Sequence, residues 1–208
     1  MADLEELLRQ GLAQLSLTLD DTQIRLLLDY LDLLAKWNQA YNLTAIREPT
    51  EMLRLHLLDS LSIASLVFGN RIIDVGTGPG LPGIPLAICF PERKFTLLDS
   101  NGKKTRFLFQ VRNSLGLKNV QEIQSRVEAY QPSEKFDAVT SRAFTSLVDM
   151  VEKCTHLLAN GGHFYAMKGQ YPAQELSELP KKYNVIASHQ LQVPGVEGQR
   201  HLVEIALA

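Results

Sequence analysis

The stretch IIDVGTGPGLPG, residues 72–83, decides the fold. A short apolar run ends in Asp74, and four glycines and two prolines follow within nine residues. Glycines crowded at a strand end let a ligand lie against the backbone, where a Cβ would collide and where φ > 0 is often required. So many glycines cost chain entropy without adding packing, which argues against a turn with no ligand.

Outward from this stretch the chain divides into two styles. From residue 71 onward, short apolar runs alternate with helical spacing. RIIDV (71–75), FTLLD (95–99), NVQEIQ (119–124), FDAVTS (136–141) and GHFYAMKG (162–169) read as five strands. Helices are expected near Pro82–Phe90, between Asn101 as N-cap and Gly116 as terminator, and around Leu147–Leu158. This alternation implies a buried parallel sheet. The end departs from it: YNVIASHQLQV and RHLVEIALA, joined by PGVEGQ, read as a hairpin, so at least one terminal strand should be antiparallel. Residues 1–68 are Leu-rich with almost no glycine. Leu27, Leu28, Leu31, Leu34 and Trp37 follow helical spacing, with Asp20 and Asp21 as caps. Asn38–Ile46 breaks the pattern, and another helix is expected from about Thr50 to Val67. The expectation is a helical N-terminal subdomain or cap (1–68) on a Rossmann-like domain (69–208).

Two nucleotide classes compete for the glycine turn. Gly78-x-Gly80-x-x-Gly83 satisfies the dinucleotide pattern, though such a match alone is weak. Asp74-x-Gly76-x-Gly78-x-Gly80 resembles instead the first motif of class I methyltransferases. An acid at Asp74 can face the ammonium of S-adenosylmethionine, whereas beside a pyrophosphate it is electrostatically awkward. Asp99, nineteen residues after Gly80, can accept both ribose hydroxyls of either cofactor. The terminal hairpin favours the methyltransferase sheet over a dehydrogenase.

Bulk properties narrow the rest. The chain has 208 residues and net charge −2, so it is no globally basic nucleic-acid binder, and RNA contact needs a local basic patch. Cys89 and Cys154 form no C-x-x-C pair, and the five histidines show no metal-ligand spacing, so neither a disulfide nor a metal is proposed. No apolar run reaches bilayer length, and MADLEELLRQGLAQL is acidic and amphipathic, unlike a secretory signal. A cytoplasmic location with no membrane partner is expected.

DVGTGPGLPGIPLAI, then QSRVEAY, SRAF, YAMKG and QRHLV, preceded by WNQAYNLTAI and HLLDSL, occur in order over nearly the whole chain. These strings resemble the bacterial 16S ribosomal RNA guanine-N7 methyltransferase family (RsmG, also called GidB). The resemblance implies a class I S-adenosylmethionine-dependent methyltransferase fold, α/β with a mainly parallel sheet. It further implies methylation of N7 of a guanosine in the 530 loop of 16S rRNA. The partner is then 16S rRNA within the small ribosomal subunit, and the protein is expected to be monomeric.

Within that frame the expected cofactor residues are Gly76, Gly78, Leu81, Asp99, Val127, Glu128 and Arg142. Val127 and Glu128 would flank the adenine, although Glu128 also reads as a solvated loop acid. Arg142 and Lys168 close the fourth and fifth strands, where ligands bind in such sheets, and would place positive charge beside a phosphate or guanine O6. Arg142 also reads as half of a surface ion pair. Lys103, Lys104 and Arg106 with Arg200 and His201 could extend an RNA patch, Lys103–Arg106 reading equally as a solvated helix face. His56, Asp59 and Ser60 share one helical face and either line the pocket or form a structural cluster. Guanine N7 carries a lone pair and no proton, so no catalytic acid, base or nucleophile is named; positioning and charge complementarity suffice. Two other readings stay open: an NAD(P)-dependent oxidoreductase, which requires a parallel continuation after the fifth strand, and a non-catalytic RNA-binding or assembly module.

Overall fold

The computed structural model describes residues 2–142, 144 and 146–208; Ala143 of the SRAF string lies outside them. A first helix, α1 (Ala2–Gln14), precedes the long helix α2 (Asp21–Tyr41). Asp20 caps α2 reciprocally: its carboxylate accepts from Gln23 N–H, and the Gln23 side chain accepts from Asp20 N–H. Ile24, Leu27, Tyr30, Leu31 and Leu34 form its buried stripe. The helix runs past Asn38, where a break was expected. Asn38 is buried, and its side chain instead organises the following loop, accepting from Thr44 N–H and donating to Ile46 O. Asn42, at φ 51, provides the left-handed stop.

The helix expected over residues 50–67 is shorter and interrupted. Pro49–Met52 (α3) is α-helical, Leu53–Leu58 takes π turns, and Asp59–Leu61 (α4) returns to α geometry. Nothing in the residue types of LRLHLL dictates the π segment. Its consequence is felt at the site.

Among the described residues seven strands follow: β1 (Arg71–Val75), β2 (Lys94–Asp99), β3 (Val120–Gln124), β4 (Phe136–Ser141), β5 (Leu158–Lys168), β6 (Tyr183–Gln190) and β7 (His201–Leu207). The sheet order is β3-β2-β1-β4-β5-β7-β6. The first five strands pair in parallel, and β7 runs antiparallel to both β5 and β6. The dinucleotide reading needed a parallel strand beside β5, and β7 occupies that place in the opposite sense. The fold is thus the mainly parallel α/β sheet with a C-terminal antiparallel hairpin. β5 starts four residues earlier than expected, because Leu158 pairs with Phe136 ahead of a register shift. Helices α5 (Gly83–Cys89), α6 (Gly102–Leu115) and α7 (Leu147–Cys154) connect the strands. A short helix, α8 (Ala173–Ser177), was not anticipated.

Strand alternation sorts the core into two layers. Ile72, Phe95, Leu97, Ala138 and Tyr165 pack with the buried residues of α1, α2, the π segment, α5 and α6. Ile73, Val75, Leu98, Val139 and Phe164 pack with α7 on the other side. Residues before and after position 68 therefore share one core. Among the described residues no helix is long and apolar enough to cross a membrane. The strand order reverses between β1 and β4, and ligands of such sheets bind at the carboxyl ends of the strands there.

Candidate active site

After β1 the chain turns through Gly76 (φ 67), Gly78 (φ 61) and Gly80 (φ 101), conformations that side-chain-bearing residues rarely adopt. The turn is stitched to β2. Gly76 and Thr77 N–H both donate to Leu98 O, and Gly78 N–H donates to Asp99 Oδ2 at 2.9 Å. The other Asp99 oxygen accepts from Asn101 N–H at 2.9 Å, and Lys104 Nζ lies 3.7 Å from Oδ2. A carboxylate has about four acceptor sites, so Asp99 keeps capacity for two further donors.

These elements border an open cleft. Gly76, Asp99, Val127 and Glu128, all expected from the sequence, line it together. Val75, Leu98 and Phe144 supply apolar walls, and Ser100, Ser125, Arg126 and Lys153 complete the lining. Phe144 and Arg126 lie in the SRAF and QSRVEAY strings. Ser100 and Lys153 carried no sequence signal. Glu128 is exposed and sits 4.0 Å from Lys153 Nζ. A Cβ built at Gly78 meets nothing nearer than Lys104 Nζ at 3.9 Å, so this face of the turn is open. Open backbone, one carboxylate with spare acceptors and an apolar wall fit the methionine, ribose and adenine parts of S-adenosylmethionine in turn.

Two expectations at the turn need correction. Asp74 was expected to face the ligand. It is fully buried, on the opposite sheet face from Val75, as strand alternation requires. Its Oδ2 accepts from Thr77 Oγ1 at 2.6 Å and Gly83 N–H at 2.9 Å, so it braces the turn from behind. Burial pushes its carboxyl up to about 6, against the lowering by those two hydrogen bonds and by Arg142. Leu81 likewise does not line the cleft. It is 2% exposed and belongs to the core beneath the turn. From the helical side, the buried Tyr30 hydroxyl donates to Pro79 O at 2.9 Å, fixing the turn to α2.

Arg142, expected beside the cofactor, lines a second, smaller cavity with Asp59, Met167, Lys168, Arg200 and His201. Its Nη1 donates to Asp59 Oδ2 at 3.0 Å and to Leu55 O at 3.3 Å. Arg200 Nε donates to Asp59 Oδ1 at 3.2 Å. Lys168 Nζ pairs with Glu175 of α8 at 2.8 Å and donates to Phe144 O at 3.5 Å. After β4, Arg142 thus lines this cavity and Phe144 the first. His201 is 7% exposed, with Tyr171 edge-on 5.6 Å away. Lys103 and Arg106 are exposed on the outer face of α6 and line neither cavity.

His56, Asp59 and Ser60 are all buried. His56 Nε2 lies 2.9 Å from Thr44 Oγ1, and burial with the nearby Arg142 pushes the imidazole down to about 4. Of the three, Asp59 alone reaches a cavity. Among the described residues no group of His, Cys, Asp and Glu is arranged to hold a metal ion.

A family model described as GidB, rRNA small subunit methyltransferase G, matches residues 23–203. A ribosomal RNA small subunit methyltransferase G of Saccharophagus degradans is 60% identical over 201 residues, 97% of this chain and 90% of its own. That of Psychromonas ingrahamii is 54% identical, over 96% and 97% respectively. Among solved structures, TrmN from Thermus thermophilus aligns over 72% of this chain with TM-score 0.57 and 17% identity; the chain spans about half (47%) of that protein. M. jannaschii TYW2, solved in complex with AdoMet, aligns over 72% of this chain and 75% of its own with TM-score 0.56 and 16% identity. These structural likenesses concern the fold alone.

Proposed function

The chain belongs to the rRNA small subunit methyltransferase G family, and from that premise we propose that it transfers the methyl group of S-adenosylmethionine to N7 of one guanosine in the 530 loop of 16S rRNA, presented within the small ribosomal subunit. The observation that carries this reading is a pair of cavities lined by Phe144 and Arg142 respectively, two residues apart in sequence after β4. One combines the open glycine turn with Asp99 and apolar walls. The other gathers Arg142, Lys168 and Arg200.

The residue chemistry suits N7. Bound in the first cavity, S-adenosylmethionine would supply an electrophilic methyl on a sulfonium sulfur. Asp99 would accept the ribose hydroxyls, the Gly76–Gly78 backbone would border the methionine, and Val127 would lie against the adenine, with Glu128 at the rim. N7 attacks with its lone pair, and no proton has to move, so the transfer asks for no general acid or base. The chain's task is to align base and methyl and hold the RNA. Arg142 must leave the N7 lone pair free, so its donors go to guanine O6 or a phosphate rather than to the N7–O6 pair. Arg200, Lys168 and His201 would line the same approach, with Lys103 and Arg106 contacting rRNA farther out through charge alone. The protein acts as a monomer in the cytoplasm.

The test is methyl transfer in vitro from labelled S-adenosylmethionine to small subunits from cells lacking this protein, beside naked 16S rRNA. Stoichiometric transfer to one guanine N7 of the subunit supports the reading. Cofactor binding with no transfer to either substrate would favour a non-catalytic assembly module.

A further inference from the structure

The π segment leaves one backbone carbonyl for an arginine. In an α-helix, Asp59 N–H would bond to Leu55 O. Here it donates to Arg54 O and His56 O. Leu55 O instead accepts from Arg142 Nη1, the same nitrogen that donates to Asp59 Oδ2. The helix thus offers Arg142 a carbonyl and a carboxylate on one face, and Asp59 Oδ1 takes Arg200 Nε.

Asp59 is 4% exposed, while the Arg142 and Arg200 side chains each remain 28% exposed. It is the one carboxylate among the residues lining this cavity. Two guanidiniums converging on a small cavity repel each other and turn toward water unless an anion lies between them. A buried carboxylate orients both and leaves the assembly a net positive charge. Arg142 engages the carboxylate and Leu55 through Nη1, and Arg200 uses Nε there and Nη1 on Gln199 O. Each fork has further N–H groups to offer a phosphate or a base edge.

We infer that Asp59 is a positioning residue for the target nucleotide. Resting on the proposed methyl transfer to rRNA, it touches neither RNA nor cofactor and sets Arg142 and Arg200 in the geometry that receives the substrate. The π segment exists to present it.

The near-isosteric Asp59→Asn variant tests this with three readouts: S-adenosylmethionine affinity by calorimetry, steady-state transfer to unmethylated small subunits, and NMR of the guanidinium N–H groups. The expected result is affinity unchanged within about twofold and kcat/KM for the subunit down about tenfold, chiefly through KM. The signals of the groups that meet the carboxylate, Arg142 Nη1–H and Arg200 Nε–H, are expected to shift and broaden. In an Arg142→Ala/Arg200→Ala background, Asp59→Asn should cause no further loss. Wild-type kcat/KM, tighter subunit binding, or an equal loss in that background would each overturn the inference. If the wild-type protein transfers no methyl while its Arg142 Nη1–H and Arg200 Nε–H signals show the Asp59-dependent restraint, the proposed function fails and the positioning stands. If those signals are unchanged by Asp59→Asn, the positioning fails.

Discussion

Gly78 N–H donates to Asp99 Oδ2 over 2.9 Å, joining the turn after β1 to the acid that ends β2. The glycine turn and the carboxylate proposed to hold the ribose are therefore one unit, and disturbing either should loosen the other. Asp99→Ala is expected to weaken S-adenosylmethionine binding by at least about tenfold and to lower stability by about 1–3 kcal/mol, because Gly78 and Asn101 lose a charged acceptor. Calorimetric titration and urea melts measure both. Unchanged affinity would remove Asp99 from the cofactor site.

Glycines of the same turn should fail in different ways. Gly78→Ala places a Cβ in open space but at φ +61, so the expected cost is about 1–2 kcal/mol with a folded product and impaired cofactor binding. Gly83→Ala puts a Cβ 2.2 Å from Leu97 Cδ2 and 2.9 Å from Asp74 Oδ2. Leu97 and the Asp74 carboxylate, which holds Gly83 N–H, must then shift in a packed core, at an expected cost of about 3 kcal/mol. Thermal melts of the two variants side by side check the order; equal losses would contradict it.

Two buried groups should give opposite pH slopes. Asp74 moves up from 3.8 to about 6 in the folded state through burial. Between those values the native state holds a proton that the unfolded state releases, so stability falls as pH rises through the window. His56 moves down from 6.5 to about 4 through burial and Arg142. The unfolded state is then the better proton binder, and stability falls as pH drops from about 6.5 to 4. In the wild type the two largely offset. Asp74→Asn should unmask acid sensitivity, and His56→Gln should make the protein more stable toward pH 4. Urea melts across pH 4–7 measure this, and identical profiles for both variants would contradict the assignment.

Arg142 lines the second cavity and not the cleft beside Asp99. Arg142→Ala is therefore expected to leave S-adenosylmethionine affinity within about twofold while lowering kcat/KM for small subunits about a hundredfold, with Arg142→Lys recovering only part. A parallel loss of cofactor affinity would put the guanidinium back beside the cofactor.

How much of this was legible depended on the range of each interaction. β1 and β4 matched residue for residue, and α6 ran between its Asn101 cap and Gly116 stop, because local patterning sets such boundaries. Gly76, Asp99, Val127 and Glu128 were legible because they end or follow strands, whereas Ser100 and Lys153 of the same cleft carried no signal. Asp59 was visible only as a helical neighbour of His56. Its partners Arg142 and Arg200 lie 83 and 141 residues away in sequence, and the π turn that presents it has no residue signature. Asp74 was misplaced for a simpler reason: motif spacing names an acid but does not say which sheet face it takes, whereas alternation from Val75 does.

The atom modified is read out by mapping N7-methylguanosine along 16S rRNA from cells with and without this protein. One guanosine in the 530 loop should carry the mark only when the protein is present, with restoration by wild type and not by Asp99→Ala. An unaltered N7 mark at that position in cells lacking the protein would contradict it.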